Sequence, residues 1–426
     1  MKFKNFSIDG KQFLPSPEER KFLTLKAREI SQFLKKEIKK EKLKASVFIG
    51  GSFAKNTLIK SEFYDIDLFI RLKNFNEVFL KKIKEILKKF SSEKNYQLSE
   101  IHGSRDYFKI SVKDNLVFEV IPVKWIKNPK EAENSTDLSY AHVNYVKKKI
   151  KEKPKLLDEI ALLKRFCKAQ GIYGAESYIR GFSGYGIECL IINYGSFLNF
   201  AKEVANERGL IILDPEKHYS SQREVLINLN ESKLKSPIVL VDPVWKERNI
   251  LAALSHESFE KFKKAIKKFL SRPSKKFFEI KKLNISDLAK FAKKRGAEIL
   301  NVEIFTEKQE GDIAGTKLKK FYEFLTEQIN KKFILLKKDF EYDGTKKAEI
   351  YFVVKPKQEI IMRGPPLTML KHVSVFKKKY KEVFEKEGRV YAKIKAEKCA
   401  KRFLKEFFEK NQKYLNEMDI CSAKVV

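Results

Sequence analysis

The first periodic segment of the chain follows Ser16-Pro17-Glu18-Glu19, where Phe22, Leu25, Ile30 and Phe33 stand among the apolar positions at helical spacing. This predicts a long helix to about Lys42. Its start carries a capping serine, a proline in the first turn and acids near the positive end of the helix dipole. The period then changes. "ASVFIG" reads as a strand closing on Gly50-Gly51, and "DIDLFIRL" as a second strand. "FNEVFLKKIKEILKKF" is an amphipathic helix, and "YFKISV" and "LVFEVIPV" are further strands. Residues 1–150 are thus expected to form one α/β domain, a mixed sheet with helices.

From about 155 to 270 the pattern turns helical. "LLDEIALLKRFCKAQG" reads as a helix stopped by Gly171. "SGYGIECLIINYGSFLNFAKEVA" reads as one mostly apolar, buried helix, and "SHESFEKFKKAIKKFL" as a third. Ser271-Arg272-Pro273-Ser274 looks like a linker, so a helical central domain is expected over 151–272. Over 273–426 the expected strands are "AEILNVEIF", "FILLKKDFEY", "AEIYFVVK" and "RVYAKIKA". The expected helices are "GTKLKKFYEFLTEQIN" and "MLKHVSVFKKKYKEVFEKEG", with a last helix through "EKCAKRFLKEFFEKNQKYL". That β-α-β-β-α-β order predicts a ferredoxin-like α+β domain.

Composition sharpens this. The 426 residues exceed what one core usually takes, and 43% hydrophobic with 12% aromatic content fills sizeable cores. The net charge of +34, mostly lysine, points to a polyanionic partner, with nucleic acid first; a lysine-rich proteome is the bland alternative. The four cysteines, Cys167, Cys189, Cys399 and Cys421, form no C-x-x-C pair, which fits a reducing cytoplasm rather than a zinc or disulfide framework. No apolar run has signal-peptide or membrane-span character, so no membrane partner is expected.

The candidate chemistry lies in "FIGGSFAKNTLIKSEFYDIDLFIRL". Residues i and i+2 of a strand face one side, so Asp65 and Asp67 share a face while Ile66 and Leu68 point into a core. Two carboxylates that close repel each other, and divalent cations resolve the repulsion by taking oxygen ligands and clamping an in-line phosphoryl displacement. A third carboxylate is expected on a neighbouring strand, and Glu119 in "LVFEVIPV" supplies it. Gly50 and Gly51 let the backbone approach a phosphate, Ser52 offers its hydroxyl, and Lys55 adds a point charge.

Gly-Ser followed by D-x-D resembles the nucleotidyltransferase superfamily that includes DNA polymerase β-like enzymes and poly(A) polymerases. More narrowly, the chain resembles the archaeal class of CCA-adding enzymes, the tRNA nucleotidyltransferases. The stretches that carry this are "GGSFAKNT", "DIDLFI", "EVIPV", "LLKRFCKAQGIYGAE", "GFSGYGIECLIINYGSF", "VDPVWKERNILAALS" and "MRGPPL". The resemblance implies template-independent addition of C, C and A to tRNA 3′ ends from CTP and ATP, with Mg²⁺. It implies that Asp65, Asp67 and Glu119 are the metal and catalytic carboxylates. Gly51, Ser52 and Lys55 would hold the triphosphate. His142 matches a nucleotide-contacting histidine, Lys164 and Tyr173 match a phosphate-contacting lysine and tyrosine, and Arg248 matches an arginine that reads the base. It further implies that the C-terminal domain grips the tRNA acceptor stem and T arm, and that a homodimer is an assembly often taken in the family.

Two positions depart from the family pattern: Glu119 stands where Asp is usual, and Lys55 where Arg is common. The first adds a methylene to a metal ligand; the second replaces a two-pronged phosphate contact by a single one. The rival readings are a poly(A) or other RNA-tailing polymerase, and a non-catalytic RNA-binding protein on the same fold. Three carboxylates within a basic chain argue against the latter.

Overall fold

The computed structural model describes residues 7–73, 75–103, 105–113, 115–280, 283–395 and 397–426. The chain folds as two compact units, Met1–Lys281 and Lys282–Val426. The division expected after residue 150 falls inside the first unit.

The first unit opens on helix α1 (Pro17–Lys40), whose Ser16 and Glu19 form a reciprocal capping box. Strand β1 (Ala45–Ile49) leads into the one-turn helix α2 (Gly51–Ala54) and strand β2 (Tyr64–Leu72). Helix α3 (Glu77–Lys94) follows, then β3 (Gln97–Ile101), β4 (Tyr107–Val112) and β5 (Leu116–Lys124). The five strands lie in the order β1-β2-β5-β4-β3. β2 and β5 run parallel at the centre, and their neighbours run antiparallel to them. Ile66, Leu68, Ile70, Phe118 and Val120 bury one face of the sheet against Leu23, Ala27, Ile30 and Leu34 of α1 and Ile83, Leu87 and Phe90 of α3. The other face carries Asp65, Asp67 and Glu119 and, farther along β2 and β5, an apolar cluster of Phe69, Ile121 and Val123 with Phe48 of β1.

Helices α4 (Ser139–Glu152), α5 (Leu156–Ala169) and α6 (Gly184–Tyr194) continue the unit. The long apolar helix expected through "SGYGIECLIINYGSFLNFAKEVA" is two helices. Gly195, in a left-handed conformation, ends α6, and the Ser196 side chain caps the next helix, Phe197–Asn206. This region is also not purely helical. Ile211–Leu213, Ile238–Asp242 and Trp245–Asn249 form a three-stranded sheet, since "SPIVLVDPVWKERN" carries a wholly buried β-branched run and a turn at Asp242-Pro243. The expected linker after 271 is not the end of the unit. Phe278 is buried beside Phe166, Phe197 and Phe269, and the Arg165 guanidinium donates to its carbonyl at 2.7 Å.

In the second unit an antiparallel sheet has the order Phe333–Tyr342, Lys347–Pro356, Glu298–Phe305, Ser422–Val425. Helices Asp312–Lys332 and Ala400–Lys410 share its main core through Leu318, Phe321, Leu404 and Phe408. A β-α-β-β-α-β order is therefore present, with its first three strands and first helix as expected and its last two elements different. Its second helix is Ala400–Lys410 and its last strand is Ser422–Val425. "MLKHVSVFKKKYKEVFEKEG" is not one helix. A helix over Leu370–Lys379 gives way to a hairpin, Glu382–Lys386 with Arg389–Lys395, turning at Glu387 (φ 51°) and Gly388 (φ 72°). Two successive positive φ values are what a tight hairpin of right-handed twist demands. With Glu359–Pro366 these strands form a separate three-stranded sheet inserted into the ferredoxin-like order.

Candidate active site

The parallel register sets Asp67 opposite Glu119 and Asp65 opposite Val117, so the three carboxylates issue from one face of adjacent strands. Their neighbours Ile66, Leu68, Phe118 and Val120 are buried on the other face. Burial and then the charge of Asp65 push Asp67 up to about 6. Burial, then Asp67 and Asp65, push Glu119 up to about 8. Asp65 is exposed, so water tempers the desolvation that raises it, and Lys109 and Lys168 pull the other way. Lys109, directly opposite Glu119 on β4, is a cationic counterweight to that carboxylate.

The Gly-Gly turn presses on this face. The Gly50 amide donates to the Asp67 carbonyl at 2.8 Å. Gly51 has φ 58°, and a Cβ placed on it would fall 1.6 Å from Asp67 Oδ2. Glycine is required there on both counts, by conformation and by space. The backbone of the turn therefore lies immediately beside Asp67.

Among the described residues, no three or more His, Cys, Asp and Glu side chains converge into a preformed metal cluster. The donor set nonetheless fits a hard divalent cation. It is all oxygen, it sits on strands already in register, and its carboxyls are raised first by burial and then by mutual repulsion, both of which a bound cation would offset.

A second cluster has the opposite charge. Glu188, on α6, is completely buried, and both its oxygens are engaged. One accepts from Lys55, which follows α2; the other accepts from Lys164 on α5 at 2.8 Å and from the Thr57 hydroxyl. Lys164 also reaches the Thr57 carbonyl at 3.0 Å. Burial pushes Lys164 down to about 8 despite Glu188. Burial would raise Glu188, but the two lysines outweigh it and hold the carboxyl at about 2.

A third cluster centres on Asp242, also completely buried. Arg248 donates to it at 2.7 Å, Tyr185 at 3.2 Å and the Val244 amide at 3.0 Å, and His142 on α4 meets it through Nε2 at 3.0 Å. Burial pulls the His142 imidazole below its ordinary value, against the opposing pull of Asp242. Its ring lies 4.1 Å from that of Tyr185, and Lys55 lies 5.6 Å from the same Tyr185 ring, so the second and third clusters adjoin. Tyr173 lies nearby, under Lys168 at 5.2 Å and close to Gly184.

All ten sequence-nominated residues thus fall in the first unit. Lys55 joins Lys164, His142 joins Arg248, and Asp67 joins Glu119 and Gly51. The partners that hold them, Glu188, Thr57, Asp242, Tyr185 and Lys109, were not singled out. An acid inside "GIECLII" or "IVLVDP" was the available signal, because a carboxylate in a buried run must have a cationic partner.

A basic cleft of about 960 Å³ lies beside the end of α5. Lys261, Lys264, Lys268, Arg272 and Lys276 line it, with Glu279 the sole acid among its lining residues.

The family model described as a nucleotidyltransferase domain matches residues 28–122, and that described as the second domain of tRNA nucleotidyltransferase matches residues 158–279. The chain is 36% identical to a CCA-adding enzyme of Nanoarchaeum equitans over 259 residues, 60% of this chain and 62% of that protein. It is 29% identical to a CCA-adding enzyme of Methanocaldococcus jannaschii over 392 residues, 89% of this chain and 84% of the relative. The match thus spans less than two thirds of the first relative's length. Among solved structures, a cytoplasmic RNA terminal U-transferase superposes with a TM-score of 0.50 at 12% identity, covering 64% of this chain and 96% of the other; this is a likeness of fold alone.

Proposed function

The chain belongs to the archaeal CCA-adding family of nucleotidyltransferases, and from that premise we propose that it adds C, C and A to tRNA 3′ ends without a template, from CTP and ATP. The observation that carries the reading is the placing of Asp65, Asp67 and Glu119 on one face of β2 and β5, against the Gly51-Ser52 turn. Residues 1–150 would be the catalytic part of the first unit and 151–272 its nucleotide-binding part.

In the reaction the 3′-oxygen of the RNA attacks the α-phosphorus of the nucleotide, the bond to the β-phosphate bridging oxygen breaks, and pyrophosphate leaves. Asp65, Asp67 and Glu119 would hold Mg²⁺, which when bound polarises the phosphoryl group and offsets its charge. A carboxylate of this set takes the proton of the attacking hydroxyl. Ser52 and the Gly51 backbone approach the phosphates, Lys55 and Tyr173 bind their outer oxygens, and Lys164, whose three N–H groups are taken by Thr57 and Glu188, adds its positive charge from the buried cluster. Arg248 and His142, oriented by Asp242, face the base. A planar guanidinium suits that task through paired hydrogen bonds.

The lysine excess and the basic cleft support an RNA partner. The second unit is proposed to recognise the acceptor stem and T arm by shape and phosphate, since A-form RNA hides its major groove. No described helix is long and apolar enough to cross a membrane; a cytoplasmic homodimer is the proposed working form.

The test is addition to a tRNA transcript lacking its last three nucleotides, with Mg²⁺ and CTP, ATP or both, read as product length on a gel. Two additions with CTP, a third with both, and none on tRNA already ending in CCA are expected. A long tail with ATP alone would assign the chain to the tailing polymerases, and intact tRNA binding without addition would make it a non-catalytic binder.

A further inference from the structure

Lys55 and Lys164 come from segments far apart in sequence, a loop after β1 and the middle of α5, and both are buried. Lysine is a flexible side chain whose buried charge is costly unless paired. Left alone, two ammonium groups at one spot would repel, and at least one would turn away or lose its proton. Glu188 prevents both. Its Oε2 accepts from Lys55 and its Oε1 from Lys164, while the Thr57 hydroxyl donates to Oε1 and stands 3.1 Å from Lys164. Every member of this group is at least nine-tenths buried, at 0% exposure for Glu188, 1% for Lys164 and Thr57, and 7% for Lys55. The cluster carries two positive charges against one negative, so one unit of positive charge remains unbalanced. The charged and aromatic groups around it are Lys168 on α5, Asp67 on β2, His142 on α4, and Tyr173 and Tyr185. Asp242 is occupied by His142, Tyr185 and Arg248.

We propose that Glu188 is a positioning residue. It holds Lys55 and Lys164 as one fixed pair whose surplus positive charge recognises the outer phosphates of the incoming nucleoside triphosphate. The glutamate does not touch the nucleotide. It determines where the two ammonium groups stand and ties the loop after α2 to helices α5 and α6. This rests on the reading of the site as a nucleotidyltransferase and assigns its triphosphate selectivity to a residue that contacts no substrate. A site whose ligands are locked by a buried second layer loses affinity when that layer is altered, even though each ligand remains.

The test is calorimetric binding of CTP and of CMP to the full chain, for wild type, Glu188→Gln and Thr57→Val. CMP lacks the outer phosphates and serves as the control for base and sugar contacts. Glu188→Gln should weaken CTP about tenfold and CMP less than twofold, so the preference for CTP collapses. Thr57→Val is nearly isosteric and keeps every charge; it should weaken CTP about threefold with the same selectivity. If Glu188→Gln does not fold, judged by its thermal melt, Thr57→Val decides. Equal loss of CTP and CMP, or no loss of CTP in the folded variants, would overturn the proposal, as would a wild-type chain that binds CTP no better than CMP. A wild-type chain that prefers CTP but extends no tRNA would contradict the CCA-adding function and leave the role of Glu188 standing.

Discussion

Two charged regions of the first unit adjoin and are built on opposite terms. On β2 and β5 three carboxylates share a face, and burial with mutual repulsion raises Asp67 and Glu119. Between α2, α5 and α6, two lysines share one carboxylate, and Lys164 is pushed down while Glu188 is held low. The first region lacks positive charge, the second lacks negative charge. Each imbalance is a cost to the free chain, and in the proposed function a triphosphate arriving with a divalent cation would offset both.

The largest expected effect comes from breaking the negative side. Asp67→Asn should lower the rate of nucleotide addition by roughly a thousandfold or more, as loss of a metal ligand removes several kcal/mol of transition-state stabilisation. Binding of tRNA, read by filter retention, should change less than twofold. Next is the joint between the regions. Gly51→Ala places a methyl where Asp67 Oδ2 stands and forces a left-handed backbone that costs about 1–2 kcal/mol. Displacing a reacting group by about 1 Å can cost 100-fold in rate, so steady-state addition should fall by about that factor while the fold survives a thermal melt.

Smaller is the effect of the basic cleft. Replacing Lys264 and Lys268 by Ala should weaken tRNA several-fold and lower the salt slope of binding by about 1 for each lysine that meets a phosphate. Binding of CTP should not move.

Smallest is an effect on stability. Glu188 has a folded pKa of about 2 against an ordinary 4.5, so its contribution is complete above pH 4.5 and is lost as pH falls toward 2. Lys164 works with the opposite sign. Its folded value of about 8 lies below the ordinary 10.5, so its cost is complete below pH 8 and is relieved as pH rises toward 10.5. Urea denaturation of wild type and Glu188→Gln between pH 2.5 and 5 should show a flatter curve for the variant.

The negative region was legible in the sequence and the positive one only in part. Strand alternation is local, so "DIDLFI" and "LVFEVIPV" announce on their own which side each carboxylate faces. The pairing of Lys55 with Lys164 through Glu188 spans more than a hundred residues, and no periodicity reports it. The same limit explains the errors of fold. Gly195 breaks a run that looks continuous in hydrophobicity, and the Glu387-Gly388 hairpin turns within a lysine-rich stretch that reads as helix. The strand Ile238–Asp242 is apolar over its first four residues, and an apolar run of that length cannot be told from a buried helix by spacing.

The central claim is that the acidic region takes the cation and the lysine pair takes the triphosphate. It is tested most directly by titrating Mn²⁺ into the protein with and without CTP, following free Mn²⁺ by electron paramagnetic resonance. Wild type should bind Mn²⁺ more tightly with CTP present. Asp67→Asn should lose most Mn²⁺ binding in both conditions, and Glu188→Gln should keep Mn²⁺ binding without CTP but lose the enhancement. Unchanged Mn²⁺ binding in Asp67→Asn, or an enhancement intact in Glu188→Gln, would contradict the division of labour between the two regions.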